Sequence, residues 1–374
     1  MITWHEELSF DFSDVMTNEH FTEHDIFFDI ETTGFSPART TLYMIGCATR
    51  KDDLLCLDQF FAESKADEVT VLTSFLEFLA GYDTIITFNG IGFDIPYLKA
   101  KCNSYGLQEP FSSYNYLDIY KEVSRLKHLF GLPSLKQKSI EDFLGIDRID
   151  SYSGGELIEV YKEYTKHPSK EALALLRQHN YEDVLYMPKL LPVLSYHKIA
   201  EGVISLSSLE ANEYTAYDGT PQKELIFTLE LSTPVPKPVS LRYDSCYLTV
   251  GGSTARLCIQ LVDDRLRFFY DNPKDYYYLP KEDCAIHKSI AGSVDKEYRK
   301  QANASTCYTW KHALFLPQYE DIVTPVFHIQ PKDKLHYFEL SEYFIASPEI
   351  QTRYVKHLIS VMFSKRKSKT SPSQ

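Results

Sequence analysis

No stretch of this 374-residue chain approaches the roughly 18 consecutive apolar residues that a membrane-spanning helix requires, so no membrane association is expected. The opening residues MITWHEELSF lack the basic start and apolar middle of a secretory signal, and the chain reads as cytoplasmic. Positive charge is scarce: 39 Lys and Arg against 52 Asp and Glu leave a formal net charge of −13. That balance excludes a general cationic coat that grips nucleic acid by counterion release, while leaving room for a local basic groove. Cysteine is sparse, and the seven at 47, 56, 102, 246, 258, 284 and 307 are odd in number and scattered. This excludes a disulfide framework and suits reduced thiols buried as small hydrophobes. Cys284 and His287 have a zinc-like spacing, but no second close pair accompanies them. No internal repeat is present.

What the chain has is 44% hydrophobic residues, enough for about two domains with separate cores. Residues 1–20, polar and aromatic without a clear period, read as a surface arm. FFDIETTGF, from Phe27 to Phe35, is an apolar run carrying Asp29 and Glu31 one residue apart, then Thr-Thr-Gly. In a strand, positions i and i+2 share a face, so the two carboxylates project together. Like charges held that close call for a cation, and oxygen ligands favour Mg²⁺ or Mn²⁺. TLYMIGCAT and LLCLDQFF follow as antiparallel neighbours. The apolar stripe Val71, Leu72, Phe75, Leu76 and Leu79 predicts a helix, and TIITFN a more buried strand.

NGIGFDIPYL then places Asp94 at the opening of a helix directly after that strand, with Asn89 at the strand's end. Farther on, Ser139 and Asp142 have capping-box spacing. The helical run SKEALALLRQHNYEDVLYMPKLLPVL carries Asp183. Four helical residues rotate by roughly 40° net, so His179 shares the face of Asp183 while Tyr181 points away. Near residue 197 helical patterning gives way to alternating aromatic strands such as ELIFTLEL and RLRFFYDN, with Asp263-Asp264 as a hairpin turn. The chain thus divides into an arm (1–20), a first domain (21–197), a mostly-β, α+β second domain (198–364) and a basic, disordered tail (365–374).

FFDIETTGF, FNGIGFDIPYL and HNYEDVLYMPKL resemble, in order and context, the three motifs of the DEDD exonucleases, a ribonuclease H-like group. LDIYKEVSRLKHLFGLPSLKQKSIEDFLGI and SGGELIEVYKEY are similar to linking segments of its YprB-like bacterial branch. The resemblance covers about residues 21–195 and implies an α/β fold, a mixed five-stranded sheet flanked by helices. It also implies 3′-to-5′ hydrolysis of single-stranded or frayed DNA or RNA with two divalent cations, Mg²⁺ or Mn²⁺. Asp29 would bridge the ions, Glu31 and Asp183 would complete the first, and Asp94 would hold the second. His179, at the spacing where one branch has tyrosine, is the candidate general base. Thr32, Thr33, Gly34, Phe35 and Asn89 are candidate substrate contacts, and Lys136 and Lys138 lie where phosphates could be met. Alternatives left open are a structure-selective endonuclease and a non-catalytic nucleic-acid-binding module. In the second domain, Lys288, Arg299 and Lys300 with nearby tyrosines offer a strand-binding surface.

Overall fold

The computed structural model describes residues 1–150, 152 and 154–364. It divides into two compact units, Met1–His197 with Val235–Lys237, and Lys198–Pro234 with the chain from Pro238 onward. The expected basic tail lies outside the described residues.

The first unit is built on a six-stranded sheet, where five were expected. The strands are β1 (Ile2–Ser9), β2 (Asp25–Thr32), β3 (Leu42–Lys51), β4 (Leu54–Phe61), β5 (Thr84–Thr87) and β6 (Asn115–Asp118). Their order is β1-β4-β3-β2-β5-β6. Strands β1 to β4 pair antiparallel, and β5 and β6 are parallel to β2. The extra strand corrects the reading of residues 1–20 as an arm: ITWHEELS pairs with β4 along its whole length, with strictly alternating half-buried and exposed residues. Three of its four half-buried positions, Ile2, Trp4 and Leu8, are apolar and all four exposed ones are polar, so the strand carries the period-2 alternation of a half-buried strand, broken only at Glu6. A short helix, α1 (Val15–His20), follows it.

Helices cover both faces of this sheet. The even residues of β2, Ile26, Phe28 and Ile30, pack into a core with α2 (Glu68–Leu79) and α3 (Asp94–Tyr105). On the opposite face Tyr43, Met44 and Phe61 pack against α7 (Gly154–Tyr164) and α8 (Lys170–Tyr186). Between these lie α4 (Ile119–Arg125), α5 (Lys127–Phe130) and α6 (Gln137–Leu144). Helix α6 begins two residues before Ser139, with Lys136 at its N-cap, so the capping-box reading fails and Ser139 is helical. Helix α8 is capped by Ser169, whose hydroxyl accepts from Ala172 N, and turns into a 3-10 run from Met187 at Pro188.

The second unit is mostly β. Strands β7 (Ile204–Thr215), β8 (Pro221–Tyr243) and β9 (Cys246–Gln260) form one sheet. Strands β10 (Val262–Phe269), β14 (Tyr308–Gln318) and β15 (His336–Glu339) form another, and β11 (Tyr276–Leu279), β12 (Cys284–His287) and β13 (Lys300–Gln301) a third. A helix at Pro348–Phe363 closes the described chain. Asp263 and Asp264 do not form a hairpin turn; they lie in β10, opposite Leu314 and Ala313 of β14. Five of the seven cysteines are buried. No helix among the described residues is long and apolar enough to cross a membrane.

Candidate active site

The sheet order decides what meets what. The odd residues of β2 face α8, so Asp29 and Glu31 leave the strand toward that helix, while the parallel β2–β5 pairing sets α3 just beyond the end of β2. Asp94 begins α3 and is buried. His179 and Asp183 come from one face of α8, as helical spacing requires. Ligand atoms of Glu31, His179 and Asp183 all lie within 4.8 Å of one another. His179 Nε2 stands 3.5 Å from Glu31 Oε1 and 3.5 Å from Asp183 Oδ2.

Asp29 and Asp94 belong to the same electrostatic cluster. Burial first, then Asp183, Asp94 and Glu31, hold Asp29 well above the usual carboxylate range, with Arg148 opposing. Burial, resisted by His179 and reinforced by Asp183 and Asp94, raises Glu31 to about 7. Asp94 also rises to about 7, chiefly through burial; its own and the Ile30 backbone amides pull it back, and Asp118 and Asp183 add to it. Burial works against a charged imidazole at His179, but Glu31, Asp183 and Asp150 outweigh it and raise the histidine above its ordinary value. Desolvated acids that repel one another in this way lack positive charge. A donor set of carboxylate oxygens from Asp29, Glu31, Asp94 and Asp183 fits divalent cations of the Mg²⁺ or Mn²⁺ kind.

Several residues that sequence reasoning passed over complete the site. Asn180 is fully buried between α8 and the sheet; its amide nitrogen reaches Asp29 Oδ2 at 3.4 Å, and its Oδ1 accepts from Gln59 Nε2 at 3.0 Å. The helix comes this close because residue 46 is glycine: a Cβ there would stand 2.2 Å from Asn180 Oδ1. Arg148, in the loop between α6 and α7, pairs with Asp183 Oδ1 and lies 2.7 Å from Glu141 Oε2. Among the described residues its buried Nη1 has no hydrogen-bond partner. Asp150, two residues on, accepts from His179 Nδ1 at 2.7 Å. Burial disfavours its charge, yet the bonds from His179 and Tyr152 keep Asp150 below the usual range. The i, i+3 spacing of Asn180 and Asp183 could have flagged the asparagine; nothing in IDRID marks Arg148 or Asp150.

The proposed substrate contacts divide. Thr32 Oγ1 donates to Gly34 O at 2.9 Å, and the Thr33 hydroxyl accepts from Thr41 N at 2.8 Å, so both hydroxyls serve the turn after β2. Gly34 has φ +147 and a Cβ there would meet Thr40, so the turn needs glycine. Phe35 is 88% exposed, its ring beside that of Phe93, which rules out a core role. Asn89 takes φ +67, its amide held by Asp118 at 3.0 Å, which gives it a turn-forming part. It also lines a cavity of about 580 Å³ that opens on His179 and Asp183 and carries Lys136, Lys138, Phe88, Tyr120 and Tyr152. In the second unit Lys288 and Arg299 both lie over Tyr277, at 5.3 and 4.8 Å, so that ring already has cationic partners.

Residues 26–195 match the family model described as the RNase_H superfamily. The segment is a ribonuclease H superfamily domain. Among solved structures the chain is similar to the family B DNA polymerase of the archaeon Pyrobaculum calidifontis, at 19% identity and a TM-score of 0.36, over 47% of this chain and 26% of the polymerase. It is also similar to E. coli Exonuclease I in complex with a dA16 oligonucleotide, at 12% identity and a TM-score of 0.29, over 55% of this chain and 54% of the exonuclease. The chain thus spans about a quarter and about half of these two proteins. Scores this low carry no argument, and the assignment of the ribonuclease H-like domain rests on the family model and the sheet. No curated protein matches the chain.

Proposed function

We propose that the ribonuclease H-like domain is a metal-dependent 3′-to-5′ exonuclease acting on single-stranded or frayed DNA or RNA. The observation that carries this reading is the convergence of Asp29, Glu31, Asp94 and Asp183 at one end of the sheet, three of them driven upward by burial and mutual repulsion. The polarity of digestion comes from the motif resemblance. Two divalent cations held by these four acids would supply the positive charge that hydrolysis of an anionic diester requires.

The remaining work falls to the chain's own groups. His179 Nε2 faces Glu31 and Asp183 and accepts the proton of the attacking water. Lys136 and Lys138 at the adjoining cavity meet backbone phosphates, and Phe88, Tyr120 and Tyr152 offer ring faces to unpaired bases. Exposed Phe35, set against Phe93 just before Asp94, is placed to pack on the terminal nucleotide. Such a cavity suits a strand whose bases are not paired.

The test is incubation of the purified full chain with 5′-labelled oligonucleotides and Mg²⁺ or Mn²⁺, on matched single- and double-stranded DNA and RNA, with Asp29→Ala as the blank. A ladder shortening from the 3′ end is expected. A few discrete internal cuts would replace this reading with an endonuclease, and tight binding without cleavage would replace it with a binding module.

A further inference from the structure

The loop between α6 and α7 delivers two side chains onto the functional face of α8, and their spacings match: Arg148 and Asp150, two apart, reach Asp183 and His179, four apart. Asp150 is the more informative of the pair. Its side chain is 3% exposed, and three donors converge on it: His179 Nδ1 at 2.7 Å and Lys138 Nζ at 3.2 Å on Oδ2, and Tyr152 N at 3.1 Å on Oδ1. Its own backbone N–H donates to Glu182 Oε2 at 2.9 Å, which fixes the loop to α8 itself.

From this geometry we infer that Asp150 is the positioning residue for His179, holding the proton on Nδ1 and the Nε2 lone pair toward Glu31 and Asp183. A carboxylate has no proton to give, so the ring nitrogen facing Asp150 is a donor; cations held by Glu31 and Asp183 would take the oxygens that Nε2 faces and leave Nε2 as the acceptor. Only a carboxylate meets this environment. An asparagine turned to accept from His179 and Lys138 would set its NH₂ against the Tyr152 N–H. Turned the other way, it would set that NH₂ against the lysine ammonium and donate to Nδ1, which moves the ring proton to Nε2. Arg148 does the corresponding work at Asp183: it takes Oδ1 and leaves Oδ2 facing His179. The inference rests on the nuclease reading for its purpose, though not for its geometry.

The first measurement needs no variant and no substrate. In full-length protein labelled with ¹⁵N-histidine and loaded with Mg²⁺, the His179 resonances, assigned by loss in His179→Asn, should report a ring protonated at Nδ1. A ring protonated at Nε2 alone would overturn the inference. The second measurement is a double-mutant cycle on cleavage. Asp150→Asn should lower kcat by roughly 100-fold or more, the usual share of a general base, with little change in KM, and Asp150→Glu should recover part of it. In the His179→Asn background the same Asp150→Asn change should cost less than about threefold, because its effect passes through the imidazole. An equal loss in both backgrounds would make Asp150 merely structural and end the proposal. Wild-type protein that cleaves no oligonucleotide refutes the nuclease reading, while the resonance measurement still decides the inference.

Discussion

Gly46→Ala is the sharpest single test of how the site is assembled. Gly46 lies in β3 opposite Asp29 of β2 and Gln59 of β4, and its φ is one that alanine accepts, so the substitution is a purely steric one. The added Cβ would stand 2.2 Å from Asn180 Oδ1, 2.9 Å from Cγ and 3.0 Å from Nδ2, so something must retreat by nearly an ångström. Asn180 cannot swing aside freely, because its amide is held by Gln59 and Asp29. Either α8 lifts or those bonds break. Overpacking of this kind costs about 1–3 kcal/mol, and a lost hydrogen bond adds about 1 kcal/mol. In a domain of this size the melting temperature should fall by roughly 5–15 °C. Because His179 and Asp183 ride on α8, a shift approaching 1 Å should also cost about 100-fold in cleavage. Asn180→Ala removes the obstructing amide, and in that background Gly46→Ala should cost under about 1 kcal/mol. Melting curves of the four proteins give the coupling. A Gly46→Ala protein that melts with the wild type, or an equal cost in both backgrounds, would refute the packing argument.

Three further outcomes follow from the same structure. In metal-free protein the raised Asp29, Glu31 and Asp94 favour folding while protonated, so their contribution is whole at low pH and lost as pH climbs through about 7. His179, also raised, acts with the same sign. Chelator-treated protein should therefore melt lower at pH 8.5 than at pH 5.5, and Mn²⁺ or Mg²⁺ should raise melting more at the higher pH; a rise in melting with pH would contradict this. Glu31→Gln and Asp94→Asn should each abolish cleavage yet raise the melting temperature of metal-free protein at pH 8, each relieving up to about 3–4 kcal/mol. Lys101 Nζ lies 2.6 Å from Glu68 Oε1, both buried, where α2, α3 and the start of β3 meet. Lys101→Met should cost about 3–5 kcal/mol by stranding the glutamate, and Lys101→Met with Glu68→Leu should recover most of it in a denaturation series.

Much of the architecture was legible because it depends on period and order. The shared strand face of Asp29 and Glu31 in FFDIET, the stripe on α2 and the one-face spacing of His179 and Asp183 are local properties, and each survived folding. What escaped were interactions whose partners lie far apart in the chain. The edge strand β1 does alternate, with Ile2, Trp4 and Leu8 half-buried between exposed polar residues and only Glu6 out of pattern, but its partner β4 lies some 50 residues on and no local signal joins the two. The Ser139 reading failed for a related reason: the helix start is set by the packing of α6, with Gln137 bonded to Asp183 O and to Glu141, and local propensity is overridden.

The α6–α7 loop shows where sequence reading reaches its limit. Within IDRID, an arginine and an aspartate two apart read as a solvated turn, because in most loops such charges face water. Here both are buried, at 7% and 3% side-chain exposure. A buried charge is tolerated only beside a partner, so each must meet an opposite or complementary group, and the site supplies Asp183 and Glu141 for one and His179 and Lys138 for the other. The acids that would hold metal thus create the demand that buries Arg148, and the imidazole creates the demand that buries Asp150. Their role is a consequence of the site having formed, which is why no local pattern announces it, and why changing either should disturb the site before it disturbs the fold.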